Sequence, residues 1–267
     1  MTEVADDMEN PRRYGEPPFS VAVIHGGPGA PGGMAPVARE LSIDRGVLEP
    51  LQTARSLEGQ IDELRLILTT NGDPPFTLIG SSWGAMLSYM LAARCPEIVK
   101  KLILVGSGVY EEQYAASIQD TRLSRLTEQE REEVRSLMEV LDDPANLRQD
   151  TTFTRLGVLF TKTDAYNPLT LDTELIKPKY DVYQNVWKDV VELRSSGKLL
   201  EMGKMIRCPV VAIHGDYDPH PAIGIERPLT AVVKDFRFIL LRNCGHLPWV
   251  EKEAKDRFYA ILRQELS

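Results

Sequence analysis

The sequence predicts an α/β fold, a doubly wound parallel sheet interrupted by a helical insertion. Three observations carry the prediction. Between residues 19 and 105, short apolar runs alternate with helical stretches, the pattern of a parallel sheet whose crossovers are helices. From about 107 to 205, strand signals vanish and helical ones take over. From 209 onward the alternation of strand and helix returns. The chain therefore divides into 1–106 and 206–267, two parts of one core, and 107–205, a helical cap inserted between them. At 267 residues it can bury a sizeable core in one domain with an insertion.

Residues 1–18 are polar and Pro-rich and read as a loose arm. The run 19–24, FSVAVI, is continuous and apolar, as a strand buried on both faces should be. It ends in His25-Gly26-Gly27-Pro28-Gly29, then Ala30-Pro31-Gly32-Gly33. So much glycine and proline straight after a strand marks a loop with demanding backbone geometry. Residues 34–41 read as a short helix, and 46–49 as a short strand closed by Pro50. Leu57, Ile61, Leu64, Ile67 and Leu68 mark one face of a helix that Asn71-Gly72 stops. The stretch 76–93, FTLIGSSWGAMLSYMLAA, is strand, tight turn and helix, and KLILV at 101–105 is the next buried strand.

Within the insertion, Thr127-x-x-Glu130 is a capping-box signature for a charged helix that runs to about Asp142, before Pro144. Val182, Tyr183, Val186, Trp187 and Val190 form the apolar stripe of a second helix ending near Gly197, a stripe read as packing. PVVAI at 209–213 and FRFILL at 236–241 are the last strands. A closing helix over 254–266 carries Phe258, Ile261 and Leu262.

Composition excludes several classes. A hydrophobic content of 43% and a charged content of 26% belong to an ordinary globular chain. The net charge of −8 argues against a nucleic-acid surface, which needs clustered Lys and Arg. No apolar run approaches a membrane span. The start, MTEVADDMENPRR, has neither the basic nor the apolar segment of a signal peptide, so a cytoplasmic location is expected. Cys95, Cys208 and Cys244 are odd in number, far apart and without metal-ligand spacing, which suits free thiols in a reducing compartment. No feature of the sequence sets the oligomeric state.

Chemistry concentrates at the loops after strands. In Gly80-Ser81-Ser82-Trp83-Gly84 a serine sits at the apex of a strand-to-helix turn. Flanking glycines let neighbouring backbone pass closely. The helix that follows points its free amides and positive dipole end at developing negative charge. The amides of the Gly-rich loop after the first strand suit an oxyanion hole. All four histidines, His25, His214, His220 and His246, lie just past predicted strands. A serine nucleophile needs a base within hydrogen-bond reach and an acid to orient that base.

The order Ser82, Asp218, His246, each in a loop after a strand, resembles the α/β-hydrolase superfamily. The His25-Gly26-Gly27-Pro28-Gly29 loop together with the Ser82 pentapeptide looks most like its proline-iminopeptidase-like branch. The resemblance covers the sheet portions, about two-thirds of the chain, and matches the insertion only in position and helicity. It implies a serine hydrolase in which Ser82 is the nucleophile, His246 the base and then acid, and Asp218 the group that orients His246. The amides of Gly27 and Trp83 would form the oxyanion hole, with His25, Gly26, Pro28 and His220 lining the site. It also implies a cis Gly27–Pro28 bond. A small molecule or short peptide would be the substrate, with no organic cofactor, metal, nucleic acid or membrane involved.

The sequence departs from that family in three places. His25 comes too early to leave room for the usual leading antiparallel strands, so a shortened sheet of about six parallel strands is expected. Glu49-Pro50-Leu51-Gln52 replaces the usual Asp-x-x-Gly-type turn. The insertion lacks the Trp-Glu pair by which iminopeptidases grip an amine, and Glu111, Glu112 and Glu201 are the substitutes on offer.

Other assignments stay open at this point. Asp216 is an alternative acid. His220, two residues beyond Asp218, is an alternative base, but bonding Asp218 would leave that aspartate little freedom for another partner, so it reads as shaping the pocket. The alternating set His214-x-Asp216-x-Asp218-x-His220 can be read as metal ligands, since such residues share a face of an extended strand. Pro219 and Gly215 argue instead for a loop. An aminopeptidase of the iminopeptidase type and a non-catalytic ligand-binding scaffold are the alternative functions. A serine at position 82 disfavours the dehalogenase and epoxide-hydrolase chemistries, which place aspartate there.

Overall fold

In chain order, the computed structural model, which describes residues 9–143, 145–170 and 176–267, begins with β1 (Arg12–Tyr14), β2 (Val21–Ile24), α1 (Ala35–Leu41) and β3 (Val47–Glu49). It continues with α2 (Leu57–Asn71), β4 (Phe76–Ser81), α3 (Trp83–Arg94) and β5 (Val99–Val105). Among the described residues, five α-helices follow without a strand: α4 (Glu112–Ser124), α5 (Glu128–Asp142), α6 (Gln149–Asp164), α7 (Tyr180–Ser195) and the single turn α8 (Lys198–Glu201). The alternation resumes with β6 (Val210–Gly215), α9 (Ile223–Val232), β7 (Phe236–Leu241) and α10 (Lys255–Leu266).

The seven strands form one sheet in the order β1-β3-β2-β4-β5-β6-β7. Strands β2 to β7 are parallel to their neighbours, and β1 runs antiparallel to β3. The six parallel strands match the expected number; the edge strand β1 is an addition. It lies in the stretch read as a loose arm, and its tie to the sheet is polar rather than apolar. Tyr14 Oη donates to the fully buried Glu49 carboxylate at 2.8 Å, with Arg12 at 3.4 Å. An apolar pattern could not have announced it. Residues 1–8 of the arm lie outside the described residues.

Strand order reverses around β2: the chain first moves outward to β3, then crosses back to β4 on the other side. Ligand crevices in such sheets open at the carboxyl ends of the strands flanking that reversal. Those ends carry the Gly-rich loop and Ser82.

The strands are apolar on both faces, as parallel strands covered by helices must be. Ala22, Ile24, Leu78, Leu102, Leu104, Val210 and Ala212 face one core, with α2, α3 and α9. Val21, Val23, Ile79, Ile103, Val105, Val211 and Ile213 face the other, with α1 and α10. Helix α3 is buried from Trp83 to Ala93, so it is apolar all round rather than amphipathic. Helix α9 escapes a sequence reading because Pro221, Gly224 and Pro228 make its segment resemble a loop; Ile225 and Leu229, one turn apart, bury it.

The capping box forms as expected: Thr127 accepts from Glu130 N–H and the Glu130 side chain accepts from Thr127 N–H. The proline expected to end that helix, Pro144, lies outside the described residues. The insertion has its own apolar cluster, Leu126, Val134, Leu141, Leu156, Leu159 and Tyr180. Val182, Val186, Val190, Leu199 and Met202 pack it into the core beside α2 and α3, and two backbone stitches tie it to the loops at the strand ends. Lys179 N–H donates to Gly29 O at 2.8 Å and Ile176 N–H to Pro31 O at 3.0 Å, tying the start of α7 to the Gly-rich loop. His246 N–H donates to Asp164 O at 2.8 Å and Leu169 N–H to Val250 O at 2.7 Å, tying the end of α6 to the last loop. Among the described residues, no helix is long and apolar enough to cross a membrane.

Candidate active site

Ser82 is held where a chain turns hardest. It follows β4 directly, precedes α3, and has φ +53 and ψ −113, a backbone state costly for any side chain and found where a fold enforces it. What enforces it is close packing. A Cβ on Gly84 would lie 2.2 Å from Ile24 O and 2.5 Å from His25 O, so only glycine lets α3 start this close to the end of β2. Ser82 N–H donates to Val105 O at 2.9 Å, fixing the turn to the neighbouring strand. Trp83 opens α3, so its N–H is one of those a helix leaves without an internal partner. Its indole nitrogen donates to Gln60 Oε1 at 3.0 Å.

The Gly-rich loop lies against this turn: a Cβ on Gly26 would sit 3.1 Å from Ser82 Cβ. His25 is fully buried, with Nδ1 at 3.0 Å from Gly26 O, and its Nε2 accepts from Gln52 N–H at 3.2 Å. Burial pushes its pKa down to about 4. His25 is therefore a neutral strut under the loop. The Gly27–Pro28 bond, expected cis, is not: the cis bonds among the described residues precede Pro11, Pro18 and Pro75. Reversal comes from the next residue instead. Ala30 N–H closes onto Gly27 O at 3.0 Å with Gly29 at φ +73, the geometry of a type II turn with proline second and glycine third.

The loops after β6 and β7 supply the titratable groups. His246 Nδ1 lies 2.7 Å from Asp218 Oδ2, so of the two aspartates on offer Asp218 is the one in contact with His246. Asp216 instead accepts from Cys244 N–H at 3.3 Å and faces Arg242 at 3.6 Å. Asp218 Oδ1 accepts from His220 N–H at 2.9 Å and lies 2.8 Å from His220 Nδ1. The His220 and His246 rings stack with centroids 4.8 Å apart. His220 thus does bond Asp218 and still leaves it a second partner, because the two carboxylate oxygens divide the work. His214 Nε2 lies 2.8 Å from His220 O and 3.5 Å from Asp218 Oδ2.

Burial pushes the Asp218 carboxyl up, but the charges of His246, His214 and His220 outweigh it and hold it well below the usual carboxylate range. Burial pushes His246 down, and attraction to Asp218 more than offsets this, so His246 lies above an ordinary imidazole. For His220, burial wins over Asp218 and the pKa falls. Two stacked imidazoles on one carboxylate are thus driven apart in their affinity for a proton.

Gly106, next to the carbonyl that holds Ser82, abuts this cluster: a Cβ there would lie 3.3 Å from His246 Nδ1 and 3.5 Å from Asp218 Oδ2. Ser82 and the Asp218–His246 pair thus both flank the end of β5, Ser82 through the Val105 carbonyl and the pair against Gly106. No hydrogen bond joins Ser82 Oγ to His246 Nε2 among the described residues; such contacts are often long until substrate binds. The alternating set of possible metal ligands does not share one face, since Asp216 turns toward Arg242 and His214 toward His220 O. Asp218, His220 and His246 do converge within 4.8 Å, but both ring nitrogens facing the carboxylate are spent on it.

A family model described as alpha/beta hydrolase fold matches residues 53–253, well over half of the sequence. The chain belongs to the alpha/beta hydrolase family. Solved structures agree on the fold. An alpha/beta fold family hydrolase from Bacillus anthracis str. Sterne superposes with a TM-score of 0.71 at 17% identity, covering 94% of this chain and 93% of that one. VinJ gives 0.67 at 18% identity, covering 96% and 93%. A proline iminopeptidase from Mycobacterium smegmatis gives 0.63 at 18% identity, also covering 96% and 93%. No curated protein sequence matches.

Three features of this alpha/beta hydrolase escape a sequence reading. One is the sharing of Asp218 by two histidines. Another is Asp164, whose carbonyl takes His246 N–H and whose carboxylate forms a two-point ion pair with Arg122. The third is Glu251, fully buried, which accepts from the N–H groups of Gly245, Tyr166 and Asn167 at 2.9, 2.8 and 2.8 Å. A carboxylate five residues after His246 was the available signal; two of its partners, Tyr166 and Asn167, belong to the insertion, which no local pattern connects to it.

Proposed function

We propose that this alpha/beta hydrolase is a serine hydrolase that cleaves a small ester or amide through an acyl-enzyme on Ser82. The observation that carries the reading is the 2.7 Å contact between Asp218 and His246 Nδ1, beside a serine held at φ +53 at the head of a helix. With Nδ1–H given to Asp218, His246 Nε2 is left as the lone pair that accepts a proton.

In the reaction, Ser82 Oγ attacks the substrate carbonyl while its proton passes to His246 Nε2. Negative charge develops on the carbonyl oxygen, where the N–H groups of Gly27 and Trp83 would receive it. The C–O or C–N bond then breaks, and the leaving group takes the proton from His246. Water repeats the cycle: its proton goes to His246, its oxygen bonds the acyl carbon, and Ser82 Oγ departs with the proton returned. Asp218 stays ionised and stabilises the imidazolium formed in each half.

Small esters and amides are preferred over N-terminal peptides. Glu112 is committed to Arg194 at 2.8 Å and Glu201 to Lys204 at 2.6 Å, which leaves Glu111, bonded to the neutral Gln113 amide at 3.3 Å, as the one of the three substitutes not paired to a cation. Ser82→Ala, His246→Ala and Asp218→Asn are each expected to lower kcat on p-nitrophenyl esters by about three orders of magnitude or more. Turnover by Ser82→Ala near the wild-type rate would remove the proposal and favour a binding scaffold. Faster cleavage of amino-acid p-nitroanilides than of esters would favour the aminopeptidase reading.

A further inference from the structure

We propose that His220 is a positioning residue that clamps Asp218 for His246. This rests on the serine-hydrolase reading of the same site and adds a member to it.

The argument begins with the freedom of an aspartate. The terminal torsion of a carboxylate is broad and two-fold, so a single hydrogen bond to His246 leaves it free to rock. Here both oxygens are committed. Oδ1 takes two donors from one residue, the His220 backbone N–H at 2.9 Å and Nδ1 at 2.8 Å. Oδ2 is left for His246 at 2.7 Å. Rotation about the torsion would break all of these bonds together.

His220 is itself fixed. Its carbonyl takes His214 Nε2–H at 2.8 Å, and its ring stacks on His246 at 4.8 Å with planes 23° apart. The stack also sets the plane in which His246 can swing. The remaining charged groups around the pair come from the insertion: Asp164 at the end of α6 takes His246 N–H on its carbonyl, and Arg122 of α4 is paired to the Asp164 carboxylate.

The sorting of the two rings suits this role. A neutral His220 donates one hydrogen bond, takes no proton from Ser82 and offers an aromatic face to the imidazolium that forms on His246. It also joins the site to the insertion. His220 lines a cavity of about 410 Å³ together with Arg122, Phe160, Tyr183, Trp187 and Arg194. A residue that holds the Asp218 carboxylate therefore also faces the space between the insertion helices.

The test compares His220→Asn, His220→Leu and His220→Gln in the full chain. An asparagine amide can take the place of Nδ1–H and keep the donor on Asp218 Oδ1. Leucine keeps volume without a donor, and a glutamine amide reaches past that point. The direct readout is the low-field proton resonance of His246 Nδ1–H, assigned by its loss in His246→Gln. The expectation is a sharp resonance in wild type and His220→Asn, and a broadened or absent one in His220→Leu and His220→Gln. On p-nitrophenyl esters, kcat should fall about tenfold in the leucine and glutamine variants with KM within about twofold, and recover in the asparagine variant.

A resonance as sharp in folded His220→Leu and His220→Gln as in wild type would overturn the inference. Should Ser82→Ala turn over as fast as wild type, the hydrolase reading falls, and the resonance still decides whether His220 holds Asp218.

Discussion

His25 shows how much one buried side chain can commit the molecule. It is 0% exposed and neutral, with its titration pushed down from 6.5 to about 4. The unfolded chain takes up that proton near pH 6.5, whereas the folded one resists it until about pH 4. Between those values the unfolded state binds the extra proton, so stability falls as pH drops. The full swing is about 3 kcal/mol. Urea unfolding at pH 7.5 and 4.5 should therefore show a clearly smaller acid loss for His25→Asn than for wild type; equal losses would contradict the burial argument. His246 titrates in the opposite sense. Its proton is held above the ordinary imidazole range by Asp218, so the acid limb of kcat/KM should lie above that range and shift down in Asp218→Asn.

At the scale of elements, the turn between β4 and α3 is organised by what cannot be there. A Cβ on Gly84 meets backbone carbonyls of residues 24 and 25, which cannot move without dragging the Gly-rich loop. Gly84→Ala should cost about 2 kcal/mol or more by overpacking, read as a lowered urea midpoint, and it should lower kcat by displacing Ser82 and the loop together. This element was legible in the sequence because its physics is local: an apolar run, two glycines and an apolar helix lie in consecutive residues. The capping box at Thr127 was legible for the same reason. Helix α9 was not, since Pro228 and Gly224 oppose a helix locally and only the burial of Ile225 and Leu229 against the sheet reverses that. Strand β1 was not, because its hold is the pair of Tyr14 and Arg12 on Glu49, some 35 residues away. The conformation of Gly27–Pro28 was drawn from resemblance, and the turn closed by Gly29 made a different choice.

Across the whole molecule, the insertion buries Val182, Val186, Val190 and Leu199 against the core and is bonded through its backbone to the Gly-rich loop and to the loop that carries His246. The segment 164–169 is stitched to 246–252, and 176–179 to the Gly-rich loop. Glu251 is the centre of the first stitch, and three N–H groups converge on it. Glu251→Ala would strand those donors, at a cost of about 3 kcal/mol or more in urea unfolding, and should lower kcat because the loop carrying His246 loses its anchor. A variant as stable and as active as wild type would show that the insertion does not hold the site. The pairing of Asp218 with His246 was foreseen from order and resemblance; the bond of His220 to the same carboxylate was not, because residue types at fixed spacing do not say how two oxygens are divided. The central claim is that Ser82 is an activated nucleophile. It is tested most directly by treating the folded protein with a fluorophosphonate and locating the adduct by mass spectrometry. The account predicts one adduct, on Ser82, abolished by Ser82→Ala and slowed by His246→Ala. A folded protein that takes up no label on Ser82, or labels equally well without it, would contradict the account.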